Sequence, residues 1–224
     1  MLQDPHWEEQ WKALRPSQDP QKWVSPLFSA LFSTQDTIHW HAVTCFGDVV
    51  CDLAQWSMES ARVIMRRFLW SLNDESGGIG WGAPEAMGEI MARHQGLARE
   101  YSSILLSFIC PCHGPDNFLE YDPLRQGAHW GIARLAQDHP LLVQPGEEPL
   151  AKALGFEHHA KSLLLICLAL EALSSLSPQT VSMLRQWTAD TRSVSLYWNA
   201  RFHTRTLGRQ AEQTLDRHLG SNHS

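Results

Sequence analysis

The residues best suited to chemistry lie in one segment between two stretches with helical spacing. The segment holds two tryptophans, several acidic residues and four glycines, so it offers flat apolar surfaces beside hydrogen-bond acceptors. A turn that only reverses the chain does not need two indoles. We therefore predict a site that binds a partner or ligand, formed by Arg66, Trp70, Asn73, Asp74, Glu75, Trp81 and Glu85.

The alternative for this segment is a turn that orders itself. Asn73, Asp74 and Glu75 are able to accept backbone N–H groups, and the glycines between them and Glu85 permit backbone geometries that other residues resist. Arg66 lies one helical turn before Trp70, within reach of either carboxylate. The sequence alone leaves both interpretations open.

A second set of polar residues lies on the helices that follow. Glu85 and Glu89 are four residues apart on one helix, and Arg125 and His129 have the same spacing on a later one, with Trp130 beside them. If the second helix of each pair lines one side of a helical array, these four charged or titratable side chains face a common groove. Taken singly, the acidic row is more typical of a solvated face, and His129 of a hydrogen-bonded helix histidine.

Signatures of metal or nucleophilic chemistry are missing from the sequence. The chain has 12 histidines and 5 cysteines, but no HExxH, no paired CxxC and no GxSxG. The glycine-rich GGIGWG lacks the GK[ST] ending of a phosphate loop. Three of the cysteines lie in apolar helical patterns, which favours reduced thiols. We expect no metal and no cofactor.

Composition and charge restrict the class of partner. The 224 residues are 43% hydrophobic and 19% charged, as in ordinary globular proteins. A formal charge of -6 argues against a nucleic-acid partner, because that affinity comes largely from Lys and Arg. The longest apolar run, 163–170, is far shorter than the roughly 20 residues that cross a bilayer. The start of the chain has no apolar signal region, so we expect a cytoplasmic protein without a membrane partner.

Apolar residues recur at three- and four-residue spacing through most of the chain, which predicts an all-α fold. Proline and N-cap signals predict helix starts at Pro26, Pro84 and Asp122, and a long helix from Phe156 to Ser174. Near the C-terminus, alternating residues in 193–198 and 201–206 around Asn199-Ala200 predict a β-hairpin instead.

The second helices of successive pairs are weakly similar to one another. Aligning AVTCFGDVV, APEAMGEIM and AHWGIARLA brings Gly47, Gly88 and Gly131 into register, which is the spacing of HEAT-type helix pairs. Glycines at these positions would let one helix approach the next closely. On these residues the chain resembles HEAT-like repeat proteins of the group that includes the phycobilin-lyase type. The stretch NDESGGIGWGAPEAMGEI is similar to a HEAT-repeat family of sulfate-reducing and related anaerobic bacteria.

The resemblance implies a solenoid of about four helix pairs over residues 23–176. We expect residues 1–22 to form an N-terminal capping segment with Trp7 and Trp11. Residues 177–224 are expected to form a C-terminal cap of helix, hairpin and helix, because a two-stranded hairpin is marginal alone and the end of an array must be covered.

The predicted function is a binding scaffold with a protein partner, or alternatively a small ligand. The contrasting hypothesis is an enzyme on this scaffold, with Asp74, Glu75, Glu85 or His129 as acid or base, with metal dependence left open. A DNA-repair glycosylase is the least favoured class, because it needs a basic surface.

Overall fold

The computed structural model describes residues 1–73, 80–111 and 117–220, which are mostly helical. The first half contains α1 (Trp7–Leu14), α2 (Gln21–Leu31), α3 (Asp36–Trp56), α4 (Met58–Leu72), α5 (Ala83–Arg93) and α6 (Gln95–Ser107). The second half contains α7 (Asp122–Asp138), α8 (Pro140–Val143), α9 (Glu147–Phe156), α10 (Ala160–Ala172), α11 (Pro178–Arg185), β1 (Ser193–Trp198), β2 (Arg201–Thr206) and α12 (Leu207–Gly220).

The helices form pairs whose second members stack in chain order. Helices α3, α5, α7 and α10 pack one against the next, and each is preceded by an outer helix, namely α2, α4, α6 and α9. Helix α12 then packs on α10. This arrangement confirms the predicted all-α solenoid of four helix pairs followed by a small hairpin and a last helix.

Close contact between α5 and α7 depends on the two glycines that the repeat alignment brought into register. A Cβ atom on Gly88 would lie 2.2 Å from the Cα atom of Gly131, so the two backbones touch. A Cβ atom on Gly131 would lie 2.5 Å from the carbonyl oxygen of Pro84. The expectation that these glycines permit close helix approach is confirmed. Gly47 serves a different neighbour, since a Cβ there would meet the side chains of Arg93 and Glu89.

Helix α10 is buried on all sides along most of its length. Residues 162–170 are all buried, because α7, α9, α12 and β1 surround them. A helix that is apolar on every side is typical of such a central position. The long apolar run in the sequence therefore marks the inside of the array.

Two predicted helix starts are wrong. Helix α2 begins at Gln21, and Pro26 lies inside it on the exposed side, because the buried Val24 and Leu27 continue one apolar stripe past the proline. Phe156 ends α9, and α10 begins only at Ala160. The chain is extended in between, at Glu157, whose side chain turns into the protein.

The C-terminal hairpin has the predicted strands and turn. β1 pairs antiparallel with β2, and Asn199 and Ala200 have φ values of 51° and 61°, as a two-residue hairpin turn requires. The hairpin contacts α10 and α12, and it also reaches across to the start of the row. The Tyr197 ring stacks on Trp40 of α3 at 5.2 Å, and its hydroxyl lies 2.9 Å from that of Thr44.

The N-terminal helix also packs against α3. Trp7 stacks on His41 with ring centroids 4.0 Å apart, and the Trp11 indole donates to Asp48 at 2.8 Å. Both indoles are buried. The tryptophans of this segment therefore contribute to the core.

The cysteines follow the sequence expectation with one exception. Cys45, Cys51 and Cys167 are free thiols, and burial raises the pKa of each of them. Cys110 takes part in a disulfide bond, which corrects the expectation that all the thiols are reduced. In the described part of the chain, no helix is long and apolar enough to cross a membrane.

The α5–α7 contact yields a stability prediction. Gly88→Ala should lower the free energy of unfolding by about 1 to 3 kcal/mol or more, because the new methyl group meets backbone that cannot rotate away. Gly155→Ala is the matched control on α9, where the nearest atom is a flexible Met183 methyl at 3.5 Å. Urea denaturation measures both. Equal stability of the two variants would contradict a tight α5–α7 contact.

Candidate functional site

The second helices of the pairs run parallel, so their N-terminal ends lie at one edge of the array. Glu85 lies against Gly127, and farther along the same helices Glu89 bonds to Arg134. Residue numbers thus rise together on α5 and α7, as parallel helices require. The segments that lead into α3, α5 and α7 consequently meet at this edge.

Three exposed aromatic residues lie on those segments, and we call them the aromatic edge: Phe32, Trp81 and Tyr121. Their exposed fractions are 56%, 37% and 50%. The Trp81 and Tyr121 rings meet edge to face at 5.8 Å. Phe32 and Trp81 share a cleft of about 300 Å³ with Leu31, Ser33, Thr34 and His39. The fold therefore gathers apolar surface from three inter-helix segments and leaves it uncovered.

Gly82 holds the segment before α5 close to α3. Its φ is +74°, a left-handed conformation that favours glycine, and a Cβ there would lie 2.9 Å from the Cε1 atom of His39. The Nδ1 atom of His39 lies 2.9 Å from the carbonyl oxygen of Leu31. This contact fixes the imidazole in the wall of the cleft that Trp81 also lines.

Glu85 is buried at the α5–α7 contact, just inside this edge. A Cβ on Gly127 would come within 2.5 Å of its Oε2 atom, so a glycine is what leaves room for the carboxylate. The Oε2 atom is buried and has no hydrogen-bond partner. Burial raises the pKa of Glu85, and the charges of His39 and Lys161 oppose this only in part.

Lys161 of α10 reaches towards the same region. Its ammonium group lies 5.6 Å from the centre of the Trp40 ring on α3. Burial lowers the pKa of Lys161, and the negative charges of Glu85 and Asp36 offset this shift only in part. Glu85 and Lys161 therefore influence each other without forming an ion pair within 4.0 Å. A raised pKa is the property that allows a carboxyl group to act as a general acid.

Glu89, by contrast, is fully paired. Its Oε1 atom accepts from Arg93 at 2.6 Å and its Oε2 atom accepts from Arg134 at 2.8 Å. Arg93 also bonds to Asp48 at 2.5 Å, so ion pairs connect α3, α5 and α7. These buried and half-buried contacts fix the relative position of the three helices.

Arg125 and His129 converge on a residue that sequence analysis missed. Glu157, in the break between α9 and α10, accepts from Arg125 at 2.5 Å and lies 3.2 Å from the Nε2 atom of His129. We call these three residues the Glu157 cluster. Burial alone would raise the pKa of Glu157, but its hydrogen bonds with His129 and Arg125 outweigh this and lower it to about 2.

Burial favours the neutral form of His129 in this cluster. Burial lowers the pKa of His129, and its hydrogen bond with Glu157 opposes that shift only in part. The side chain is wholly buried, and its Nδ1 atom has no partner. The four side chains expected to share one groove are thus divided among separate buried contacts, with Glu85 and Glu89 apart from Arg125 and His129.

Trp130 faces the hairpin. Its indole N–H donates to the carbonyl oxygen of Tyr197 at 2.8 Å, and its ring contacts Trp40 at 4.9 Å and Trp198 at 5.8 Å. The ring is only 3% exposed. The predicted binding residue Trp130 therefore binds a strand of its own chain.

The remaining predicted residues belong to the end of α4 and the turn after it. Arg66 pairs with Glu59 at 2.5 Å, Trp70 is 80% exposed, and Asn73 is exposed at the end of the helix. Asp74 and Glu75 lie outside the described residues. Gly80 lies against this helix end, since a Cβ there would be 2.8 Å from the Cδ2 atom of Leu72.

Several residues at the edge had no signal in the sequence. Phe32 follows the end of α2 and Tyr121 precedes α7, and a single aromatic residue at a helix end has no distinctive pattern. Glu157 and Lys161 lie on either side of the histidine pair that precedes α10. The only sequence signal here is that EHH interrupts two apolar runs. No group of three or more His, Cys, Asp or Glu residues within 1–73, 80–111 and 117–220 is placed to hold a metal ion.

The Glu157 cluster predicts acid sensitivity. The pKa of Glu157 is about 2 in the folded protein and about 4.3 in an unfolded chain. Its contribution is therefore complete above about pH 5 and is lost as the pH falls towards 2. Glu157→Gln should lose about 3 kcal/mol at pH 7, because it leaves the buried Arg125 charge without its main partner.

Urea denaturation at pH 7 and at about pH 3 measures this effect, and the gap between variant and wild type should narrow at the lower pH. Glu8→Gln is the control, since Glu8 has only a half-exposed pair with Lys12 at 3.9 Å. A gap that stays constant with pH would show that folding does not lower the pKa of Glu157.

Glu85 predicts the opposite pH dependence. Because its pKa is raised in the fold, the wild type loses stability as the pH rises and the carboxyl group must ionise. Glu85→Gln should therefore be more stable than wild type at pH 8, with the difference vanishing below about pH 4.3. Thermal unfolding across this range tests it, with Glu89→Gln as a destabilised control because Glu89 is paired with two arginines.

Comparisons with known proteins support the fold. No family model and no curated protein matches the sequence. Among solved structures, a computationally designed armadillo repeat protein for modular peptide recognition is similar over 87% of this chain and 82% of its own, with 15% identity and a TM-score of 0.52. A designed armadillo repeat protein in complex with the peptide (KR)4 is similar over 96% and 95%, with 16% identity and a TM-score of 0.54. The chain thus has the fold of an armadillo-like helical repeat solenoid.

Proposed function

We propose that the protein is a helical-repeat scaffold that binds a protein partner by holding a short peptide segment at the aromatic edge. The observation that carries the proposal is that Phe32 and Trp81 line one cleft while Tyr121 meets the Trp81 ring edge to face, with each of the three residues at least 37% exposed. Aromatic side chains of this kind are enriched at the centres of protein interfaces. Apolar patches on a folded surface commonly mark such interfaces.

The size of the cleft favours a peptide over a complete small ligand. Its volume of about 300 Å³ is at the lower limit for sites that enclose drug-sized molecules. One apolar side chain fits such a space, while the rest of the segment lies across the exposed rings. The titles of two similar solved structures name peptide recognition and a bound peptide, which is consistent with this use of the fold.

Charge at the edge indicates the kind of peptide. Asp36 begins α3 and Glu120 precedes Tyr121, and both side chains are exposed. Neither carboxylate has a hydrogen bond or ion pair within the described part of the chain. A segment with Lys or Arg beside its apolar anchor would pair with these groups, and its cations would also pack on the aromatic faces.

We add the turn predicted from sequence to the same proposed surface. Trp70, at the end of α4, is the most exposed tryptophan, and Gly80, which precedes Trp81, lies against that helix end. We include Arg66, Asn73, Asp74 and Glu75 in the surface as predictions. Three further statements also stay predictions. They are the division into residues 1–22, 23–176 and 177–224, the cytoplasmic location, and the resemblance to phycobilin-lyase type and bacterial repeat families.

An enzyme remains the second candidate because of one observation. Glu85 keeps a buried, unpartnered carboxylate oxygen and a raised pKa, whereas Arg125 and His129 are engaged with Glu157. The two hypotheses separate at this residue. Glu85→Gln leaves the aromatic edge intact, so it should not change peptide binding, but it would abolish acid–base chemistry.

Peptide selection tests the binding function. Peptides selected from a displayed random library on the immobilised wild type should carry an apolar or aromatic residue beside Lys or Arg. Trp81→Ala and Tyr121→Ala should each weaken the best peptide about 30-fold, the effect of removing an interface anchor worth about 2 kcal/mol. Isothermal titration calorimetry with the synthetic peptide measures this change.

Trp56→Ala is the matched control. Trp56 is 71% exposed at the opposite, C-terminal end of α3, so its loss removes a similar surface without touching the edge. Equal weakening by Trp56→Ala, or unchanged binding by both edge variants, would remove the aromatic edge from consideration. Far-UV circular dichroism verifies that the variants keep their helices.

A further inference from the structure

The hairpin and the start of α12 form a basic surface on an acidic protein. The chain carries a formal charge of -6, yet Arg201, Arg205 and Arg209 recur every four residues here. Within the described residues, the side chains of Arg201 and Arg209 have no hydrogen-bond or ion-pair partner, and both are exposed. Arg201 and Arg209 therefore carry positive charge that is not paired with a carboxylate in the described part of the chain.

Arg205 is held in place by a buried residue. Its Nη1 atom donates to the Oε1 atom of Gln210 at 2.9 Å, and Gln210 in turn donates to Glu171 at 2.6 Å. Gln210 is only 2% exposed, so it fixes the orientation of the guanidinium group. Arg205 and Arg209 border a cleft of about 290 Å³ that is lined by polar and charged residues: Thr204, Arg205, Thr206, Arg209, Gln210 and Gln213.

Beside this cleft, β2 has an open edge. In the part of the chain that the structure describes, its only strand neighbour is β1, and residues 201–204 are exposed. In a hairpin with a two-residue turn, Trp198 and Arg201 form a hydrogen-bonded pair, and every second pair along the strands is hydrogen-bonded. The bond from Leu207 N–H to the Arg192 carbonyl at 3.0 Å fits this alternation. The main-chain N–H and C=O groups of Phe202 and Thr204 therefore point away from β1.

We propose that β2 accepts an extended acidic segment of a partner protein as a third strand. Main-chain bonds to Phe202 and Thr204 would supply the pairing, and carboxylates on the segment would reach Arg205 and Arg209 at the polar cleft. Charge complementarity selects this occupant. A second copy of β2 would place arginine near arginine, which is unfavourable on neighbouring strands. This surface is separate from the aromatic edge.

Fluorescence anisotropy with two labelled, end-capped peptides tests the occupant. One peptide alternates Glu and Val, and the other alternates Lys and Val. The Glu peptide should bind and the Lys peptide should not. The double variant Arg205→Gln with Arg209→Gln should weaken the Glu peptide about tenfold or more, because charge-assisted hydrogen bonds are lost. Arg99→Gln with Arg185→Gln removes equal charge elsewhere and should leave binding nearly unchanged.

The strand pairing has its own test. Thr204→Pro removes one outward N–H group without removing a bond to β1, so it should weaken the Glu peptide about fivefold or more. Thr204→Ser keeps both the N–H group and the hydroxyl that lines the cleft, so it should bind like wild type. In the unmodified protein, amide hydrogen exchange at Phe202 and Thr204 should slow when the peptide binds.

Three results would overturn the proposal. These are failure of the Glu peptide to bind, equal binding by Thr204→Pro and Thr204→Ser, and unchanged exchange at Phe202 and Thr204 in the peptide complex. The exchange measurement uses the wild type, so it decides the matter even if Thr204→Pro does not fold. Trp81→Ala should bind the Glu peptide normally. A negative result for strand addition at β2 is therefore distinct from a negative result for peptide binding at the aromatic edge.

Discussion

Direct backbone contact between α5 and α7 is the constraint on which the rest of the structure depends. Gly88 and Gly131 leave no side chain between the helices, so the neighbouring pairs on each side are also held close. The same approach presses Glu85 against Gly127 and brings Glu89 to Arg134. Parallel helices at this spacing place the segments before them at one edge, which is why Trp81 and Tyr121 meet.

Buried polar groups specify how the pairs are stacked. The Glu157 cluster joins α7 to the break before α10, and the ion pairs of Glu89 join α5 to α7. Each group is costly to bury unless its partner is present, so a shifted register would leave charges unpaired. Glu85 is the exception, since its carboxylate has a free buried oxygen. Residues kept in unfavourable surroundings are more common at functional sites than elsewhere.

The hairpin determines which surfaces are left for partners. Tyr197 and Trp198 fill the face formed by Trp40 and Trp130, so that face is occupied by the chain itself. The two surfaces that we propose for partners are ones that the hairpin does not cover. The aromatic edge is apolar with acidic neighbours, whereas β2 is basic with an open main-chain edge. Their opposite charge suits them to different segments, which is consistent with a scaffold that joins two partners.

Local signals in the sequence determined the helical class, the repeat register and the hairpin, because apolar spacing, glycine and turn residues act over a few positions. The glycines at 88 and 131 even indicated the contact between their helices. What only the tertiary structure decided is which polar residues meet. Glu157 joins His129 from 28 positions away, and Tyr121 joins Trp81 across two helices, with no local pattern to mark either pair. The same limit applies to Pro26, where packing of α2 on α3 outweighed a local start signal, because burial depends on neighbours that the local sequence does not identify.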